Sequence, residues 1–422
     1  MVCVGENGET LCGHERVRVT MPIRTARRLP LNWFQRNGRM RQIAVYTALE
    51  GAETMKNLSI MIKPASSLCN MRCAYCFYAD VAHQRDIASY GLISDDTLET
   101  MLRAIFADLK RGDHLNLAFQ GGEPTLAGLN FFRSVIRKVS ALNQGVHVHY
   151  ALQTNGLLLD DEWCAFLHEN RFLVGLSYDL LPNRNDEARV DVHGQGTTKR
   201  VLETAKRLDR HQVEYNILCT LTEYVARNPH KVWNAIRQHP FRYVQFTPCL
   251  DDLEKKGSPY ALKPASFASF YTQLFDDWFQ EYHQGNYWSI KLFDDLIHRI
   301  AYGSVNACGL DGHCQPQLVV EADGSVYPCD FYCLDEYRMG SFEDQTLEEL
   351  YDRSARSPSK AQRIDAPCRS CPYVLLCGGG CKRMRETVCF AADDAQCGMR
   401  KFLDWTLPRI MQIANQLKRG LH

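Results

Sequence analysis

The sequence predicts an α/β protein: a partial (β/α)6 barrel followed by a small cysteine-rich domain. Two observations carry that prediction. Between residues 58 and 250, β-rich runs alternate with helical patterns, the layout of βαβ units around a parallel sheet. Beyond residue 300, cysteines crowd around a hairpin signal. At 422 residues the chain has room for roughly two to three domains. Its 45% hydrophobic and 23% charged content is ordinary for a globular enzyme.

Strands are expected at Leu58–Ile62, Leu115–Phe119, His147–Leu152, Leu173–Ser177, Val213–Thr220 and Tyr243–Phe246. Helical patterns fill the gaps at 95–110, 129–142, 160–169, 197–211 and 228–238. In such sheets function gathers at the carboxyl ends of the strands. The cysteine loop after the first strand and Gly121-Gly122-Glu123-Pro124 after the second both fall there. Residues 55–250 are therefore expected as the barrel, 251–300 as an aromatic-rich helical bridge, 301–400 as the cysteine-rich domain and 401–422 as a C-terminal helix. Residues 1–54 hold eight Arg, no Lys and no helical or strand period. They read as a doubtful extension with Met55 as the working start; a basic arm is the other reading.

Composition also excludes partners. Zero net charge creates no strong field for nucleic acid or a membrane surface. No run of about 18 apolar residues appears, so no membrane span is expected. Eighteen cysteines are too few for a disulfide scaffold of this length. Their clustering, without a signal-peptide pattern, fits metal-bound thiolates in a reducing cytoplasm.

Cys69, Cys73 and Cys76 stand at x3 and x2 spacing, with Phe77 after the last. Three thiolates on one loop can hold three irons of a 4Fe–4S cluster. The fourth iron then lacks a protein ligand and is free to bind a small molecule. That spacing is the mark of radical S-adenosylmethionine enzymes, in which the cofactor carries radical chemistry. A structural zinc site fits less well, because zinc prefers four closed ligands.

The second cysteine field begins with Cys308 and Cys314. A hairpin follows, Gln317–Val320 and Val326-Tyr327-Pro328-Cys329-Asp330 around Asp323-Gly324, a strong turn signal. Cys368, Cys371, Cys377, Cys381 and Cys397 complete the field. These eight thiols are the number that two four-thiolate sites require. Alone, Cys368 to Cys381 also fit a zinc ribbon; the upstream loop tips the reading to iron–sulfur. Cys164, Cys219 and Cys249 are expected to be buried hydrophobes.

From about Met55 to Ala414 the chain resembles the anaerobic sulfatase-maturating enzymes, radical S-adenosylmethionine proteins with a SPASM domain. The runs that carry the likeness include Ile62-Lys-Pro-Ala-Ser-Ser, Phe119-Gln-Gly-Gly-Glu-Pro-Thr-Leu-Ala-Gly, Leu152-Gln-Thr-Asn-Gly and Val326-Tyr-Pro-Cys-Asp-Phe-Tyr. Gln120 before Gly-Gly-Glu-Pro, joined to Cys329-Asp330-Phe331-Tyr332, is its narrowest mark.

The resemblance implies three 4Fe–4S clusters and S-adenosylmethionine. Cys69, Cys73 and Cys76 would hold the first cluster. Cys308, Cys314, Cys329 and Cys381 would hold an inner auxiliary cluster, and Cys368, Cys371, Cys377 and Cys397 an outer one. Gly121, Gly122 and Glu123 would meet the amino group of S-adenosylmethionine, a carboxylate being a sensible partner for an ammonium. Ser177 and Arg189 would meet its nucleoside and carboxylate ends. Tyr78 and Gln120 are candidate substrate contacts.

The implied reaction converts a Ser or Cys of an unfolded or nascent sulfatase into Cα-formylglycine. A 5′-deoxyadenosyl radical takes a β-hydrogen, Asp330 takes the hydroxyl or thiol proton, and an auxiliary cluster takes the electron. A low-potential donor such as flavodoxin or ferredoxin would supply the enzyme. The rival is another SPASM peptide-modifying enzyme that forms thioethers or crosslinks. Its members mostly carry a dedicated N-terminal peptide-binding domain, for which residues 1–54 are too short and irregular. One local departure stands out: Asp179-Leu180-Leu181-Pro182, with Asn185, replaces the family's Asp-Gly-Pro and His, while Arg189 keeps its offset.

Overall fold

The structure, a computed structural model, describes residues 56–305, 307–360, 364–390 and 396–418. The extension read over residues 1–54 lies outside them. Six parallel strands form the expected sheet: β1 (Asn57–Ile62), β3 (His114–Phe119), β4 (His147–Thr154), β5 (Phe172–Ser177), β7 (Tyr215–Leu221) and β8 (Tyr243–Pro248). Each pairs with the next in chain order. Two short strands, β2 (Met71–Cys73) and β6 (Arg189–Asp191), form a separate antiparallel ladder.

The crossover helices follow from sequence. Asp95–Ala107 starts where the Ser94 side chain accepts the Thr97 N–H, an N-cap that satisfies a helix-end donor. It buries Leu98, Met101, Leu102 and Ile105, the 3–4 spacing of one helix face. Asp160 caps Asp161–Glu169 in the same way through Trp163. Helices Leu129–Leu142, Thr198–Arg210 and Pro229–Gln238 occupy the other expected places.

The bridge contains helices Pro264–His283 and Lys291–Tyr302, joined through the short strand β9 (Ser289–Ile290) beside β8. Its aromatics are core: Phe275 and Trp278 are fully buried. The C-terminal helix is Gly398–Lys418, starting three residues before the expected position. Phe402 brings it back onto Phe267, Tyr271 and Phe293 of the bridge.

One feature was not legible in the sequence. The hairpin β10 (Leu318–Val320) and β11 (Ser325–Tyr327), with β12 (Gly340–Ser341), extends the barrel sheet. β10 pairs in parallel with β1. Leu318, Val319 and Val320 are all buried, as a strand covered on both faces should be. The cysteine-rich domain thus begins as an edge of the barrel.

Candidate active site

Register sets the site. Ile62 lies beside Phe119 on one side and Val320 on the other. The next residue on each strand, Lys63, Gln120 and Glu321, therefore emerges at the same carboxyl-end rim. Lys63 N–H donates to Val320 O at 2.8 Å and Gln120 N–H to Ile62 O at 3.1 Å. The turn Asp330–Tyr332, after β11, delivers Asp330 to this rim.

Three of the sequence-predicted residues meet there. Tyr78 OH donates to Asp330 Oδ2 at 2.7 Å, and Gln120 Nε2 donates to the same oxygen at 2.8 Å. Gln120 Nε2 also reaches Tyr78 OH at 2.7 Å. Asp330 Oδ1 is buried with no hydrogen-bond partner among the described residues. Burial pushes the Asp330 carboxyl above its ordinary range, while Lys63, Tyr78 and Gln120 pull it back. One oxygen is fixed and the other waits for a donor, which is the arrangement of a proton acceptor.

Lys63 is a site residue that sequence reasoning missed. It pairs with Glu321 Oε1 at 2.8 Å, and Arg85 pairs with the same oxygen at 2.6 Å. All three are buried. The Lys63 ammonium also lies 5.0 Å from the Tyr78 ring centroid. Burial works against its charge, but Cys333, Glu321 and Asp330 outweigh it and raise its pKa. Burial likewise works to raise Glu321, and the two cations hold it low. The available signal was a lysine directly after an apolar strand, in Ile62-Lys63-Pro64. Cys333, left out of the ligand set, is buried here as well.

The three-cysteine loop is docked on the glycine loop. Gly122 N–H donates to Ser66 O at 2.8 Å and Glu123 N–H to Leu68 O at 2.7 Å. A Cβ on Gly122 would sit 2.0 Å from Leu68 O, so only glycine permits this approach. The Glu123 carboxylate faces the protein. Oε1 accepts from Thr125 and Thr154, and Oε2 accepts the Asn155 N–H. Both oxygens are engaged, so the side chain fastens the loop to the end of β4; the expected carboxylate–ammonium contact would compete with these bonds. Asn155 Nδ2 in turn lies 3.9 Å from Cys69 Sγ.

On the far side, β2 and β6 pair Cys73 with Arg189. Arg189 NH1 donates to Tyr75 OH at 3.4 Å, and its buried Nε has no partner among the described residues. Tyr75 OH donates to Asp179 Oδ2, and Asp179 Oδ1 accepts the Thr220 N–H at 3.0 Å. Burial raises the Asp179 carboxyl against the pull of Arg189. Asn185, at the departing position, is buried and donates to Thr198 Oγ1 at 3.0 Å. Its Oδ1 accepts the Asp179 N–H at 3.2 Å, which holds that loop in shape. Ser177 ends β5, half-buried, in register with Leu218.

The cysteine-rich domain sorts its thiols into two neighbourhoods. Cys329 and Cys381 interact electrostatically with Cys308, and Cys308 and Cys381 with Cys314. Cys368 and Cys377 interact with Cys371 and Cys397. Cys389, left out of the predicted ligands, joins the second group beside Cys397. Gly378, Gly379 and Gly380 all have positive φ, and a Cβ on Gly379 would meet Cys368 Sγ at 3.7 Å. Thiols grouped in this way have the donor chemistry of an iron–sulfur group. Cys164, Cys219 and Cys249 are buried as expected, while Cys3 and Cys12 lie outside the described residues.

Comparison with known proteins agrees. Residues 64–226 match the radical SAM superfamily, and residues 312–372 match SPASM, an iron–sulfur cluster-binding domain. A cysteine-type anaerobic sulfatase-maturating enzyme of Clostridium perfringens is 40% identical over 86% of this chain and all of its own. The chain belongs to the anaerobic sulfatase-maturating enzymes. A serine-type relative from Bacteroides thetaiotaomicron is 27% identical over 78% of this chain and 84% of its own. The solved structure described as native anSMEcpe with bound AdoMet and Cp18Cys peptide has TM-score 0.78 at 39% identity, covering 86% of this chain and all of that one. The maturase is thus a radical S-adenosylmethionine enzyme that uses iron–sulfur clusters and S-adenosylmethionine. No helix among its described residues is long and apolar enough to cross a membrane.

Proposed function

We propose that this maturase oxidises a cysteine of an unfolded or nascent sulfatase polypeptide to Cα-formylglycine, in the cytoplasm and without oxygen. The choice of cysteine rests on relatives: cysteine-type enzymes share 40% and 39% identity, serine-type ones 27% to 29%. The observation that carries the chemistry is Asp330, with Oδ2 fixed by Tyr78 and Gln120 and Oδ1 unpaired.

Cys69, Cys73 and Cys76 hold the cluster that works with S-adenosylmethionine. Cys308, Cys314, Cys329 and Cys381 hold the inner auxiliary cluster, and Cys368, Cys371, Cys377 and Cys397 the outer one. When bound, these groups supply a carbon-centred radical and an electron sink. The chain's own residues do the rest. Asp330 Oδ1 receives the substrate thiol proton. Tyr78 and Gln120 keep the carboxylate aimed and line the substrate position. Arg189, with an open Nε donor, suits the carboxylate of S-adenosylmethionine. Gly121 and Gly122 let the backbone approach its amino end, Glu123 holds that loop in place, and Ser177 borders the nucleoside. A flavodoxin or ferredoxin is the expected electron donor, with no nucleic acid involved.

Anaerobic reconstitution tests this. About twelve iron per chain are expected, four for each 4Fe–4S centre. Reduced enzyme with S-adenosylmethionine and a cysteine-containing sulfatase peptide should give the formylglycine mass change. A serine peptide converted faster would reverse the assignment of target. Deoxyadenosine without aldehyde from either peptide would remove the function.

A further inference from the structure

We propose that Lys360 is a positioning residue for the inner auxiliary site: its fixed ammonium stabilises added negative charge at Cys308, Cys314 and Cys329, and so raises the reduction potential of the group they hold. This rests on the reading above that these thiolates, with Cys381, bind a cluster.

Lys360 closes the short turn Pro358–Lys360. Its Nζ donates to Gln315 O at 3.0 Å and to Ser354 Oγ at 2.7 Å. Ser354 is fully buried and donates to Gln317 O at 2.7 Å. Gln315 directly follows Cys314, and its N–H donates to the Cys308 thiol. The ammonium is therefore tied to the same peptide segment that meets a proposed ligand. Its electrostatic partners are Cys329, Cys308 and Cys314.

Among the described residues, no carboxylate pairs with Lys360. Lys360 is half-buried, and an ammonium is strongly hydrated, so losing part of that hydration without an anion nearby is unfavourable. Thiolates are the anions within its reach. The outer group differs. The cations beside it are Arg385, paired with Asp365 at 3.1 Å, and Arg400, whose Nε lies 3.8 Å from Asp404. Each is partly neutralised by its own carboxylate. Charge around a cluster sets its potential, so the Lys360 ammonium raises the potential of the inner site above what it would be with Asp311 and Asp330 alone beside the ligands. Asp330 directly follows Cys329. The proton acceptor and the tuned site are thus chain neighbours.

The test uses the full chain reconstituted anaerobically, with iron counted and potentials read by redox titration under electron paramagnetic resonance. Lys360→Gln should keep the wild-type iron content and deoxyadenosine formation. One cluster potential should move to a more negative value, the other two should stay, and Lys360→Arg should restore the first. Full iron with no shifted potential overturns the inference. If Lys360→Gln binds less iron, Ser354→Ala, which loosens the ammonium but keeps the charge, takes its place. A smaller negative shift of one potential is then expected, and no shift overturns the inference. A wild-type chain with fewer than three clusters would instead overturn the reading on which it rests.

Discussion

Two buried aspartates flank the three-cysteine loop: one meets Tyr75 within the loop, the other Tyr78 in the helix Phe77–His83 that follows it. Asp179 accepts from Tyr75, and Asp330 accepts from Tyr78. Burial raises both carboxyls. The difference lies in their remaining oxygens. Asp179 Oδ1 is closed by the Thr220 N–H, whereas Asp330 Oδ1 is open. Asp179 also faces Arg189, which sits opposite Cys73 on a β ladder. Burial and a tyrosine partner are thus common to both; the open lone pairs of Asp330 suit it to the proposed proton transfer, while the closed ones of Asp179 suit a brace. A buried acceptor left unpaired costs about 1–3 kcal/mol, and such sites cluster where chemistry occurs.

The largest expected effect follows directly. Asp330→Asn should slow aldehyde formation by about 10²–10⁴-fold, the range for loss of a positioned base. Deoxyadenosine release should persist, so the ratio of aldehyde to deoxyadenosine collapses. Product quantitation by mass spectrometry reads both. An unchanged ratio would take Asp330 out of its role.

Lys63→Met probes the cation behind the open aspartate. It leaves Glu321 with Arg85 alone and strips Asp330 of its nearby cation. Breaking a buried pair on one side typically costs about 3–5 kcal/mol; here Arg85 should hold the loss to about 2–4 kcal/mol. Denaturant unfolding at pH 7 measures it. A variant as stable as the parent would mean that Lys63 only fills space.

Asp179→Asn should behave in the opposite way to Asp330→Asn. It weakens the Tyr75–Arg189 brace, at a cost of about 1–3 kcal/mol in stability. Aldehyde and deoxyadenosine should fall together, because the brace serves the first cysteine loop. A split between the two products would erase the distinction drawn between the aspartates.

The open aspartate was legible in the sequence and its surroundings were not, for physical reasons. Cys329-Asp330 and Gln120 stand in distinctive local runs. Strand and helix positions followed from periodicity, which is local. The alignment of Lys63, Gln120 and Glu321 depends on β10 pairing with β1 across a separation of more than 250 residues in the chain. Nothing local encodes that register. The β2–β6 ladder escaped for a similar reason: three residues per strand give no period to read. Glu123 shows a third limit, the network around a side chain. Its residue type suits an ammonium, and the four protein donors that reach its carboxylate come into view only with the fold.

A third aspartate tests whether burial alone explains any of this. Asp294 is far from the site in sequence and lies on the bridge helix Lys291–Tyr302. It accepts from Tyr287 OH at 2.7 Å and from Ser289 Oγ. Burial pushes its carboxyl up to about 7. The unfolded chain would titrate this group near 3.9, so the native state holds the proton over the interval between them. Stability from this group is therefore full below about pH 4 and declines as pH rises through 7. Asp294→Asn mimics the protonated form and keeps an acceptor for Tyr287. At pH 8 it should stabilise the fold by about 1–2 kcal/mol, a discounted share of the shift, and at pH 4 it should change little. Thermal unfolding at the two pH values reads the difference. The product ratio should not move at either pH. A changed ratio would mean that burial of a distant carboxylate reaches the chemistry, and that the open oxygen of Asp330 is not what sets it apart.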